Sequence, residues 1–271
     1  MARCLGVMLY YLLARDRCIA LCNVRRVYGD CWSTSERQRF VRRVFMHVSC
    51  NAIDALRLPQ YSPATLSRIV RAEGWDHIPR AYQKGCGVIG VTAHVGCWEL
   101  IPNYIAAQGY QVSVVARQVY DPQVNRVVLN IRESMGVQVL DRHASLREIV
   151  RCLRRGEGIG ILIDQDTSVE SVVVDFLGQK TRTPVGPALL SLLTGAPVLP
   201  MAIHRKQDGQ HVMEIDAPVT IEATGDREAD VLRGTAELSK RIERFIQRYP
   251  DQWLWMQQRW KSMDPVATVH P

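Results

Sequence analysis

Val91-Thr92-Ala93-His94-Val95-Gly96-Cys97-Trp98-Glu99-Leu100 joins an apolar, β-branched run to a segment with helical periodicity. The run at 88–92 predicts a strand, and 98–108 a helix. His94 and Glu99 therefore fall at a strand-to-helix junction, where open α/β sheets gather their ligands. A histidine and a carboxylate five positions apart across such a turn can converge as a general base and the group that orients it. Glu99 is also favoured near a helix start by the helix dipole. Gly96 lets the backbone turn tightly, and N–H groups at the helix start can face an oxyanion. Cys97 raises the alternative of a thiol nucleophile, against which its apolar neighbours favour a small packing residue.

Outward from this junction the pattern repeats. Residues 112–116, 137–140 and 159–163 are short β-branched runs, with helical segments at 122–135 and 145–154 between them. That alternation is the mark of βαβ units and a mainly parallel sheet. A strand at 172–176, a helix at 187–194 stopped by Gly195, and a strand at 198–203 follow, and 211–215 and 218–221 read as edge strands. Residues 226–249 predict a long amphipathic helix with Leu232, Leu238, Ile242, Phe245 and Ile246 on its apolar side. The fold class is α/β: a mainly parallel central sheet flanked by helices, with a helical N-terminal arm.

In that arm, Ser33-Thr34-Ser35-Glu36 has the spacing of a capping box, and Phe40, Val41, Val44 and Phe45 follow at helical intervals. Ser62-Pro63 predicts a second helix start, running to about Glu73. Residues 1–75 thus read as a helical, basic, membrane-proximal region without a strand, ahead of an α/β unit at 76–271. The apolar stretch 5–14 follows Arg3 and is closed by Arg15-Asp16-Arg17. It falls short of the roughly 18 apolar residues that suggest a span, and reads as an interfacial helix or as an ordinary helix packed on the domain. The net charge of +7, with arginines dense in the arm, suits an anionic partner such as lipid, a membrane surface, an acidic carrier protein or nucleic acid. The eight cysteines form no C-x-x-C pair and no zinc-finger spacing, so reduced thiols in a cytoplasmic setting are expected, with no structural metal. Trp253, Trp255 and Trp260 are spaced to seal a core, the default for such a cluster, or to sit at a lipid interface.

Residues just beyond the carboxyl ends of parallel strands are the ones to inspect for chemistry: His94, then Arg117, then Asp164-Gln165-Asp166. Arg117 has the planar fork to hold a phosphate or pantetheine-type anion, or to form a surface ion pair, and Asp164 is equally suited to cap a helix. No G-x-G-x-x-G, Walker A, G-x-S-x-G or H-E-x-x-H motif is present, which removes support for a dinucleotide enzyme, a P-loop enzyme, an ordinary α/β hydrolase and a zincin. Acyl transfer by histidine-assisted attack of a hydroxyl remains.

His94-Val95-Gly96-Cys97-Trp98-Glu99 resembles the H-x4-D/E motif of the lysophospholipid acyltransferase superfamily, in the glutamate form with a preceding tryptophan that marks the bacterial lipid A biosynthesis (lauroyl/myristoyl) acyltransferases. Ile161-Leu162-Ile163-Asp164-Gln165, Phe176-Leu177-Gly178, Thr183-Pro184-Val185-Gly186-Pro187, Gly195-Ala196-Pro197-Val198-Leu199-Pro200 and the stretch from Tyr249-Pro250-Asp251 to Arg259-Trp260-Lys261 are similar to further blocks of that family, in the same order. The resemblance implies an enzyme on the cytoplasmic face of a bacterial inner membrane that moves a fatty acyl chain from acyl carrier protein to a hydroxyl of a lipid A (Kdo-lipid) precursor or related glycolipid. It implies His94 as the base, Glu99 as its partner, and Arg117, Asp164 and Gln165 as substrate-binding residues, with no metal or redox cofactor and no nucleic acid. An acyl-CoA-dependent enzyme acting on another glycolipid, such as a phosphatidylinositol mannoside, and a non-catalytic lipid-binding relative are the alternatives. The Phe-Pro-Glu-Gly-Thr-Arg block of the glycerophospholipid branch is missing. The run 169–177 reads as a buried strand, or as the wall of an acyl-chain groove.

Overall fold

The computed structural model describes residues 1–116, 121–141, 146–166 and 169–263. Helices α1 (Ala2–Leu12), α2 (Ala14–Tyr28) and α3 (Thr34–Arg57) open the chain. At the start of α3, Ser33 Oγ accepts the Glu36 N–H and the Glu36 carboxylate accepts the Ser33 N–H, the full capping box. Helix α4 (Pro63–Ile69) starts at Ser62-Pro63 as expected but stops at Ile69, and β1 (Val70–Glu73) follows. The expectation of a strand-free first 75 residues is corrected here. Buried, β-branched Val70 enters a vacant edge of the sheet, and tertiary pairing overrides the helical pattern.

The chain continues through α5 (His77–Tyr82), β2 (Val88–Thr92), α6 (Leu100–Ala107), β3 (Val112–Ala116), α7 (Pro122–Glu133), β4 (Gln138–Asp141), α8 (Leu146–Arg154) and β5 (Gly158–Leu162). It then forms β6 (Ser171–Phe176), β7 (Gln179–Pro184), α9 (Gly186–Thr194), β8 (Val198–Arg205), β9 (His211–Ile215) and α10 (Arg227–Arg248). Seven strands build one sheet in the order β1-β9-β8-β2-β5-β3-β4. Pairing is parallel from β8 through β2, β5 and β3 to β4; β9 pairs antiparallel with β8, and β1 pairs parallel with β9, so these two strands run opposite to the other five. Residues 218–221 form no strand: Val219 makes an isolated bridge to Val198, and Pro218 has no N–H for a ladder. The run 169–177 supplies β6, which pairs with β7 in a separate hairpin.

The central strand β2 is covered on both faces, which explains its nearly continuous apolar sequence. On one face Ile89 and Val91 pack with Leu153 of α8, Ile242 of α10, Phe45 of α3 and the three C-terminal tryptophans. On the other, Val88 packs with Leu100, Ile101 and Ile105 of α6 and Met201 of β8. The N-terminal arm shares the first of these cores. Asn23 of α2 donates to the carbonyls of Trp255 and Gln257 at 2.8 Å each, and sews the arm to the C-terminal segment. Among the described residues no helix is long and apolar enough to cross a membrane.

Candidate active site

Register brings together residues seventy positions apart. Thr92 at the end of β2 lies opposite Leu162 at the end of β5, and the Ile163 N–H donates to the Thr92 carbonyl at 3.2 Å. His94 and Asp164 each stand two residues beyond that pair, so they emerge side by side from the carboxyl edge. Asp164 Oδ1 lies 2.8 Å from His94 Nδ1, and Oδ2 accepts the His94 backbone N–H at 2.9 Å.

The Asp164 side chain is completely buried, and its position is fixed from the far end of the chain. Oδ2 also accepts from Trp253 Nε1 at 2.7 Å and Gln257 Nε2 at 3.1 Å. Burial pushes this carboxyl up, but the His94 ring, the Trp253 indole and the His94 backbone N–H together outweigh it, so the carboxyl is held well below the usual range and stays ionised. A buried carboxylate with four N–H donors is rigid, and it requires the Nδ1 of His94 to carry the proton, leaving Nε2 as the free base. Gln165, exposed, places its side-chain amide 3.5 Å from that Nε2.

The turn between His94 and α6 depends on Gly96, which has φ +55°. A Cβ there would collide with the Ile203 carbonyl oxygen of β8. The Gly96 N–H donates to the Gln252 carbonyl at 3.0 Å, so Gly96 serves the turn and its N–H is already committed away from an oxyanion. Cys97 is buried, and burial foremost pushes its thiol up to about 12; it is a packing residue that stays protonated.

The expected pairing of Glu99 with His94 is not the one observed. The turn carries Glu99 onto the α6 side of the sheet, where its carboxylate receives Arg132 Nη2 at 2.7 Å and Nε at 3.0 Å, and Trp98 Nε1 at 3.2 Å. The carboxylate on the His94 ring is Asp164, assigned above to substrate binding. Trp98 stands between the two groups, its ring centroid 4.8 Å from that of His94. Arg117 lies outside the described residues. Sequence reasoning missed Arg132, Trp253 and Gln257 as site residues; the dense aromatic C-terminal stretch was the available signal.

On the far side of Trp98 from His94, a narrow cavity, open at its mouth, runs between α6 and the sheet. Thr92, Trp98, Glu99 and Arg132 border it at the carboxyl edge, and Ile101, Ile105, Val112 and Ile78 line its apolar interior. The 169–177 run takes no part in it. Among the described residues no group of three or more His, Cys, Asp or Glu side chains could hold a metal ion.

The sequence profile of the bacterial lipid A biosynthesis acyltransferases matches residues 1–262. The chain belongs to that family. The enzyme is 27% identical over 236 residues to the phosphatidylinositol mannoside acyltransferase of Mycobacterium tuberculosis, an alignment covering 85% of this chain and 69% of that one. It is 25% identical over 262 residues to the lipid A biosynthesis palmitoleoyltransferase of Escherichia coli, covering 95% and 83%. Among solved structures, the 1-acyl-sn-glycerophosphate acyltransferase of Thermotoga maritima aligns with a TM-score of 0.40 and 17% identity, covering 91% of this chain and 95% of that one.

Proposed function

We propose that this acyltransferase moves a fatty acyl chain from a carrier-protein thioester to a hydroxyl of a lipid A precursor or related glycolipid, with His94 as general base. The observation that carries the reading is the pairing of His94 with the buried Asp164, next to Trp98, which borders the mouth of an apolar cavity. In the proposed step His94 Nε2 takes the proton of the acceptor hydroxyl as its oxygen attacks the thioester carbonyl. The carbon–sulfur bond then breaks, and the imidazolium returns the proton to the leaving thiolate. Asp164 stays ionised throughout and stabilises the imidazolium. The apolar cavity suits the acyl chain, and the Glu99–Arg132 pair fixes the side of its mouth.

Membrane contact supports access to such an acceptor. Gly6 is pressed so closely on α3 that a Cβ there would run into the Met46 backbone, and this turns the opposite face of α1 outward. That face carries Leu5, Met8 and Leu12, which are 37%, 51% and 66% exposed, between Arg3 and Arg15. We place this face on the cytoplasmic leaflet of a bacterial inner membrane.

A second reading has a phosphatidylinositol mannoside as acceptor, which the mycobacterial relatives of that name favour, and acyl-CoA as donor. The test is a four-way assay of purified enzyme, labelled acyl carrier protein or acyl-CoA against a lipid A precursor or a phosphatidylinositol mannoside. The proposal expects transfer from the carrier protein to the lipid A precursor, abolished by His94→Ala; undiminished turnover in that variant would remove His94 from the chemistry.

A further inference from the structure

The cavity has glycines where its walls need none for backbone reasons. Gly90 of β2 lies opposite Gly160 of β5, and one pair deeper Val88 lies opposite Gly158. On the other side of β5, Val114 and Val112 of β3 face the same two glycines. Neither Gly90 nor Gly160 has a positive φ. A Cβ on Gly90 would come 3.2 Å from Met201 Cε, and one on Gly160 3.3 Å from Val114 Cγ1, contacts that small side-chain movements relieve. Glycine inside a strand weakens packing and marks a place where something else approaches the backbone closely.

Gly158 is different. The place of its side chain is taken by the Tyr82 hydroxyl, which donates to the Gln111 carbonyl at 3.2 Å. The Tyr82 ring packs on Tyr110 with centroids 4.5 Å apart, so it is braced and not free to swing. The cavity is therefore kept open at mid-depth by a pair of bare backbones and plugged at its inner end by an aromatic ring.

We infer that this arrangement sets the chain-length preference of the enzyme: the Gly90–Gly160 pair admits the chain, and Tyr82 forms the floor against which its methyl end is measured. The inference rests on reading the cavity as the acyl-chain site. From Leu162 at the mouth to Gly158 at the floor the strand covers about 13 Å, room for an extended chain of roughly ten carbons.

Substitutions at the two levels act in opposite directions. A methyl at Gly160 narrows the middle, and removal of the Tyr82 ring deepens the end. The test offers wild-type enzyme a mixed panel of saturated acyl thioesters, medium to long, with a saturating acceptor, and reads the product masses. Gly160→Ala should shift the preferred length downward by about two carbons. Each buried methylene is worth about a fourfold preference, so the ratio of neighbouring even-numbered products changes on the order of fifteenfold. Tyr82→Ala should shift the distribution upward, and Tyr82→Phe, which keeps the ring and loses only the hydroxyl above Gly158, should shift it by less. Should Gly160→Ala fail to fold, Gly90→Ala, whose methyl meets the flexible end of Met201, must give the same downward shift. Unchanged distributions, or shifts in one direction for both levels, overturn the inference while wild-type transfer persists. Absence of transfer by wild type from any thioester would instead refute the reading on which it rests.

Discussion

Asp164→Asn replaces one oxygen by an NH2 group without changing volume, and the surrounding donors decide which oxygen is lost. Oδ2 receives three N–H groups: the His94 backbone at 2.9 Å, Trp253 Nε1 at 2.7 Å and Gln257 Nε2 at 3.1 Å. An amide nitrogen there would face three donors in a buried site, so the amide oxygen must occupy that position. The NH2 group then sits where Oδ1 was, 2.8 Å from His94 Nδ1. It donates to Nδ1, the ring proton moves to Nε2, and the base points its N–H at the acceptor hydroxyl. In a Ser-His-Asp triad the corresponding wrong-tautomer substitution costs about 10⁴-fold in kcat, or about 5 kcal/mol of barrier. We expect a fall of about 10³- to 10⁴-fold in kcat here, with the donor KM little changed. The three contacts retained at the amide oxygen should keep thermal unfolding close to wild type. Steady-state transfer from acyl thioester to glycolipid, with circular dichroism to confirm the fold, measures both. Activity within about tenfold of wild type in a folded Asp164→Asn protein would refute the orienting role of this carboxylate.

Other consequences are as specific. Glu99→Gln should cost about tenfold or less in kcat, because Glu99 braces Arg132 and not the base; a loss as deep as that of Asp164→Asn would put Glu99 back on His94. Cys97→Ala should keep most of the activity, and the native thiol, pushed up to about 12, should resist iodoacetamide at neutral pH in the folded enzyme. Rapid labelling of Cys97 with parallel inactivation would show a reactive thiol. Gly96→Ala places a side chain at φ +55° against the Ile203 carbonyl and should lower unfolding stability by at least about 2 kcal/mol, read by urea titration; an unchanged midpoint would mean that the turn relaxes freely. Met8→Glu combined with Leu12→Glu should reduce flotation with anionic vesicles by tenfold or more, and equal binding would take the membrane off this face of α1.

The sequence alone determined the alternation of elements, because local periodicity and punctuation are properties of neighbouring residues. β2, β3 and β9 fall on the residues expected, and α3 begins at the capping box that Ser33 and Glu36 announce. The motif around His94 and the later blocks also located the family, to which the profile match over 1–262 agrees. Pairing across the sheet is a different kind of information. Nothing local to His94 reports that β5 hydrogen-bonds to β2, and that adjacency puts Asp164, not the nearer Glu99, on the imidazole. Nor does local spacing say that Trp253 and Gln257 return from the C-terminus to hold that carboxylate, or that Gly90 and Gly160 lie opposite one another under α6. The strand at Val70–Glu73 was hidden for the same reason: its stability comes from an edge offered by β9, a partner about 140 residues away in the chain. Residue types supplied the base, the carboxylates and the apolar lining. The register of parallel strands, set by packing on both faces at once, decided which of them meet.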